Sequence, residues 1–128
     1  LVNEGFYMDG GKVRSVPVTI GGNSYVPPIP VENVVKENID GIVASGNEPI
    51  DIAIELCLYC MKTQIFIDGN KRASVLFANQ YLIAHGQGFI VIPEKKVPEF
   101  KRLLVEYYEG ADISIIGAFL KDKCWKNF

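Results

Sequence analysis

Three cysteines, one histidine and no basic excess mark what this 128-residue sequence has little of. The cysteine count is odd. Cys57 and Cys60 form a C-x-x-C inside an apolar helical run, with no second pair to complete a zinc site, and they read as core thiols rather than a redox or metal pair. Thirteen basic side chains against fifteen acidic ones leave a net charge of −2. A protein that draws its affinity from a nucleic-acid backbone carries a basic excess, so DNA and RNA are excluded as the main ligand. No run of 18 apolar residues is present, so no membrane-spanning helix is expected, and no signal peptide is visible. With the cysteine usage, these absences point to a reducing cytoplasm.

What is present suits one domain. Apolar residues make up 48% of the chain, enough for a core of its own, though a modest one that partner contacts would support. The chain opens on Leu1 rather than Met and is expected to be part of a longer protein. Residues 12–20 alternate as a strand does, Gly21-Gly22-Asn23 is a turn, and Ser24-Tyr25-Val26 returns before Pro27-Pro28 stops it; this is a β-hairpin. Helical spacing of apolar residues follows over about 30–44, with Gly46 as its stop. Pro49 begins a second helix, apolar on nearly every side over about 50–62, which should run through the middle of the domain. A third follows over about 71–85, closed by Gly86 and Gly88. Phe89 to Ile92 is a short strand, about 93–108 an amphipathic helix, and about 113–125 the last helix. The expected fold is mainly α, helices packed on helices with one peripheral hairpin.

The chemistry concentrates at the junction of the second and third helices: Gln64-Ile65-Phe66-Ile67-Asp68-Gly69-Asn70-Lys71-Arg72. An acid, a glycine, an amide and two cations meet where isolated charge is costly. The amides that open a helix lack intrahelical partners and favour an anion. Gly69 permits close approach, Asn70 is a directed donor, Lys71 and Arg72 add charge, and Asp68 is placed for Mg²⁺ beside phosphate oxygens. That set describes a Mg-nucleotide phosphate site. Spacing alone also allows a solvated turn, since Asp-Gly and Gly-Asn are common turn pairs.

The segment resembles the Fic/Doc signature H-x-F-x-[D/E]-G-N-[G/K]-R-x-x-R at Phe66, Asp68, Gly69, Asn70, Lys71 and Arg72. Asn79 matches a family asparagine. Val18-Thr19-Ile20-Gly21-Gly22 with Tyr25 to Pro28 resembles the family's flap, and Gly88 to Pro93 its following strand. The resemblance implies a Fic-type helical bundle that moves AMP or phosphate from ATP to a protein hydroxyl. Asp68 would hold Mg²⁺, and Gly69, Asn70, Lys71 and Arg72 would cradle phosphate. The flap residues Val18, Thr19, Ile20 and Tyr25 would dock a target segment by strand addition. Three positions depart from the pattern. Gln64 stands where the family has its proton-taking histidine, and an amide has no basic lone pair of useful pKa. Lys71 replaces the second glycine of AMP-transferring members and resembles Doc-type ones. Val75 replaces the last arginine. The only histidine, His85, reads as a cap on its helix. Two functions therefore stand side by side: a weak or altered transferase, in which Gln64 orients the attacking hydroxyl, and a non-catalytic nucleotide- or protein-binding pseudoenzyme. The family also suggests a partner that inhibits, as a helix or an antitoxin-like protein, and pairing into a homodimer.

Overall fold

In a computed structural model of the chain, residues 13–20, 24–66 and 69–127 are described. The mainly helical expectation holds. Helix α1 is Glu32–Val43, α2 Pro49–Thr63 and α3 Asn70–Ala84. Strand β1, Phe89–Ile90, leads through a 3-10 turn at Glu94–Lys96 into α4, Val97–Tyr108. Helix α5 is Ile113–Phe119 and continues as a π-helix over Leu120–Cys124, which feeds strand β2, Trp125–Lys126.

Helix α2 is the axis. Pro49 sits in its first turn, where a missing N–H costs nothing. Two apolar stripes run along it at helical spacing. Ile52, Leu56 and Cys60 face α1 residues Val35 and Ile39, together with Ile65 and Phe77. Ile50, Ala53, Ile54, Cys57, Leu58 and Met61 face the larger cluster, which takes in Leu82 of α3, Phe100 and Leu104 of α4, and Ile116 of α5. Leu56 and Leu58 are 0% exposed on opposite stripes, so α2 is covered on both sides. Each such side chain stabilises the fold by about 1.5–3 kcal/mol through burial. The most extensive helix pair is α2 with α3, so the loop between them is held at both ends by core. Cys57 and Cys60 are buried and free, as core thiols are. Among the described residues no helix is long and apolar enough to cross a membrane.

The last helix runs as expected, from Ile113 through Cys124, with its final five residues in π-helical form. Residues 125–126 then pair antiparallel with β1, Phe89 opposite Lys126 and Ile90 opposite Trp125. Val91 N–H donates to Cys124 O at 2.8 Å and Trp125 Nε1 to Gln87 O at 2.7 Å, which fixes this end of the chain. One sequence expectation needs correction: the chain's sheet lies at 89–90 and 125–126, whereas the flanks of the expected flap hairpin, 13–20 and 24–26, form no strand pairs among the described residues. The turn expected at Gly21-Gly22-Asn23 lies outside the described residues. The flanks are instead fixed individually. Ile20 and Tyr25 pack on the main core, and Ser24 Oγ donates to Glu109 Oε1 at 2.8 Å.

Gly88 makes the sheet possible. Its φ is +87°, and a Cβ there would sit 1.9 Å from Lys126 O. Gly88→Ala should lose about 2 kcal/mol or more of unfolding free energy in urea, because both the left-handed backbone and the clash act against it. Gly46→Ala, whose Cβ would meet nothing within 4 Å, isolates the backbone part and should cost less. Equal losses would remove the clash from the explanation.

Candidate phosphate-binding site

Helix α2 ends on Gln64, whose φ of 51° and ψ of 61° make it the sole non-glycine residue with positive φ among those described. A left-handed backbone costs such a residue about 1–2 kcal/mol, so its surroundings must hold it. They do so from three sides. Gln64 N–H donates back to Cys60 O at 3.2 Å. Its side-chain Nε2 donates to Met61 O at 2.5 Å, and its Oε1 accepts from Asn70 Nδ2 at 3.1 Å. Its own carbonyl accepts from Arg14 Nε.

Arg14 was not singled out by sequence reasoning, yet it is 3% exposed and makes no ion pair with a described residue. Every hydrogen bond it makes to a described residue goes to a backbone carbonyl. Beyond Gln64 O, Nη1 donates to Val16 O at 2.9 Å, and Nη2 to Pro28 O at 2.8 Å and Thr63 O at 3.3 Å. Its backbone N–H donates to Ile65 O at 2.8 Å. The carbonyls at the end of α2 have no intrahelical donor and carry the negative end of the helix dipole, which suits a cation. Burial pulls the guanidinium's pKa down from its ordinary value, with Tyr25 opposing. One arginine in a run of alternating residues carries no sequence signal of this role.

Asn70 closes the loop from the other end. It is 5% exposed. Its Oδ1 accepts from Phe66 N–H at 2.8 Å and its Nδ2 donates to Phe66 O at 2.7 Å. The side chain thus shapes the turn. Gly69, with φ of +73°, precedes α3, and the helical ladder begins with Ala73 N–H to Gly69 O at 3.0 Å. The amides of Asn70, Lys71 and Arg72 are therefore not used within the helix. Lys71 and Arg72 are exposed, and both line a cleft of about 470 Å³ between α3 and α4.

The remaining expected site residues are placed as follows. Asp68, the expected metal ligand, lies outside the described residues. The described residues hold no group of three or more His, Cys, Asp or Glu side chains suited to a metal; Mg²⁺ needs only one or two carboxylates with phosphate oxygens, so Asp68 as a donor type suits it. Val75 lines the cleft but also packs on the core. Asn79 acts as a strand partner: its Nδ2 donates to Ile90 O at 2.9 Å and its Oδ1 accepts from Ile90 N–H at 2.6 Å. His85 is away from the loop, its Nδ1 2.8 Å from Tyr81 O and its ring stacked on Tyr81 at 4.2 Å. Of the flap residues, Thr19 is exposed, Val18 half-buried, and Ile20 and Tyr25 partly buried against the core. Beside Gln64, the Tyr108 hydroxyl is buried and finds no partner with hydrogen-bonding geometry among the described residues; burial raises its pKa first and foremost. Lys62 Nζ lies 4.8 Å from the Tyr107 ring centroid and 5.4 Å from that of Tyr25, a cation held by two aromatic faces.

The class this helical domain defines is one in which a glycine-asparagine turn between two buried helices opens the second and sets two cations beside a cleft. The particular class is settled by comparison: the chain belongs to the Fic/DOC family, whose model matches residues 2–82. It is also similar to a protein named protein adenylyltransferase Fic from Drosophila willistoni, 28% identical over 120 residues. That alignment covers 90% of this chain and 24% of the relative, so the chain spans about a quarter of that protein's length.

Two outcomes follow from this geometry. Arg14→Leu, which leaves several carbonyls without their donor, should lower unfolding free energy by about 3 kcal/mol in urea. Arg14→Lys should recover only part, because an ammonium cannot reproduce the fork. A loss below that of an exposed substitution would show that the guanidinium is not the clasp. Alkali provides the second. Burial pushes the Cys57 thiol up from 9.0 to about 12. Below pH 9 both folded and unfolded chains keep this proton; above it the unfolded chain releases it first, so stability falls between about pH 9 and 12. Cys57→Ala should be less stable at pH 7 but show a shallower decline in urea midpoint over the accessible part of that window. An unchanged slope would contradict it.

Proposed function

We propose that this chain is an ATP-binding Fic module whose transfer of AMP to protein hydroxyls is slow. The observation that carries the reading is the start of α3, where the first helical amides lack intrahelical partners and Lys71 and Arg72 line an open cleft. Such an end accepts phosphate through both hydrogen bonds and the helix dipole, and Arg72 has the fork to hold two oxygens. The adenylyltransferase name of the similar fly protein supports AMP as the transferred group. Asp68 is the carboxylate proposed for Mg²⁺, which would offset phosphate charge.

The rate is limited by what stands at position 64. An attacking hydroxyl must lose a proton, and a positioned base typically contributes ~10²–10⁴-fold. Glutamine cannot accept that proton. Both ends of its amide are also engaged, with Met61 O and Asn70 Nδ2, so it is poorly free to orient a hydroxyl. What remains is positioning and charge, which still favour a loose phosphoryl-type transition state. The same engagement of Gln64 favours the second reading, a pseudoenzyme that binds nucleotide or a partner without turnover. A target segment would lie along residues 18–20, which form no strand pairs with described residues, in the manner of strand addition. An inhibitory helix or antitoxin-like protein, and a second copy of the chain, are the other partners this reading proposes.

Calorimetry with ATP and Mg²⁺ tests the cradle. Wild type should bind, and Arg72→Ala and Asp68→Ala should each bind about tenfold more weakly or worse. Equal weak heats in all three would remove the phosphate site. Incubation with α-labelled ATP and a cell lysate tests the chemistry, with Gln64→His alongside. The variant should raise protein labelling by ~10²-fold. Faint labelling by wild type supports the slow transferase; labelling by the variant alone supports the pseudoenzyme.

A further inference from the structure

We propose that Lys101, on α4, supplies a third phosphate-binding cation across the cleft from α3, replacing the charge that Val75 does not provide. The proposal rests on the phosphate reading of the α3 start and adds to it a second wall and a ligand class: a nucleoside carrying outer phosphates.

Helix geometry explains why Val75 cannot serve. It follows Lys71 by four residues and Arg72 by three, so all three share one face of α3. The face is cationic for one turn and then becomes apolar, and Val75 packs against the core. An anion longer than that first turn would meet only valine and Leu76 on this wall. Asn79, a turn further on, has both amide atoms engaged by the Ile90 backbone.

The opposite wall fills the gap. Phe100 is 5% exposed and stacks on Phe119 at 6.5 Å, which sets the rotation of α4. The next residue, Lys101, is exposed and lines the cleft with Lys71 and Arg72. No carboxylate is among the described residues lining it, and none of the three cations forms an ion pair with a described residue. Its neighbour Arg102 differs: it is paired with Glu106 at 2.9 Å. Three like charges around one opening repel each other, and clefts lined by one sign concentrate a ligand of the other. A monophosphate is served by the α3 start alone. A cation on the facing helix contributes only when the anion is long enough to cross, as a triphosphate is. The flexible stem and compact ammonium of lysine suit terminal phosphate oxygens that rotate.

Calorimetry with ATP and with AMP, on wild type, Lys101→Ala, Lys101→Arg and the double variant Lys101→Ala/Val75→Arg, separates the possibilities. Lys101→Ala should weaken ATP about fivefold while changing AMP by less than about twofold. Lys101→Arg should keep ATP affinity, and the double variant should restore it by returning a cation to the α3 wall. Thermal unfolding of the two single variants should match wild type because the Lys101 side chain is exposed; the double variant, which also alters core-packed Val75, is compared with Val75→Arg alone and assayed below its own unfolding transition. Equal losses for ATP and AMP, no loss for ATP, or failure of the double variant to recover would each overturn the proposal. Failure of wild type to bind either nucleotide would instead overturn the α3 reading, and this proposal with it.

Discussion

A buried guanidinium with only carbonyl partners holds the middle of this protein together. Arg14 reaches the end of α2, the start of the interhelical loop and the proline exit at residues 27–28, three stretches of chain that share no regular ladder. Without it, the final carbonyls of α2 would face one another and the buried ends of two loops unpaired, an arrangement that costs more than the bonds contribute when made. Its charge also opposes the negative end of the α2 dipole. The strained backbone of Gln64 is tolerable because this clasp and Asn70 hold it from both sides.

The loop that results separates two tasks. One is the proposed holding of an anion, which would fall to the backbone amides at the α3 start and the side chains of Lys71 and Arg72, none of which forms an ion pair with a described residue. The other, under the same proposal, would be to accept a proton, and the residue standing at that position is an amide already bonded at both ends. Asn70 and Asn79 show how strongly the fold draws polar side chains inward. Each bonds both the N–H and the C=O of one backbone residue, as a neighbouring strand would. Their polar atoms serve the scaffold, and their effect on a ligand is through the shape they impose.

Much of this was legible beforehand. The helices came from apolar spacing, and α2 was marked as central because it is apolar all round. The phosphate-type loop stood out since charge, glycine and amide met between two buried helices. Arg14 was not legible, because its role depends on carbonyls up to 50 positions away, and a sequence records donors better than it records distant acceptors. Lys101 was hidden for a related reason. A lysine on the polar side of an amphipathic helix is ordinary until the facing helix turns out to carry two cations and no acid. The hairpin expectation relied on alternation in residues 12–20, but alternation does not say whether the backbone will pair with a strand or with a side chain.

By itself the sequence determined the helix order, the two-sided burial of α2, the turn at Gly69 and the absence of a base at position 64, since each follows from local spacing or from one residue's chemistry. Only the tertiary structure decided where the sheet formed, what held Gln64 in its left-handed backbone, and which cations shared a cleft. Those outcomes depend on contacts between residues far apart in the chain, and local preference cannot rank such contacts until packing has brought them within reach.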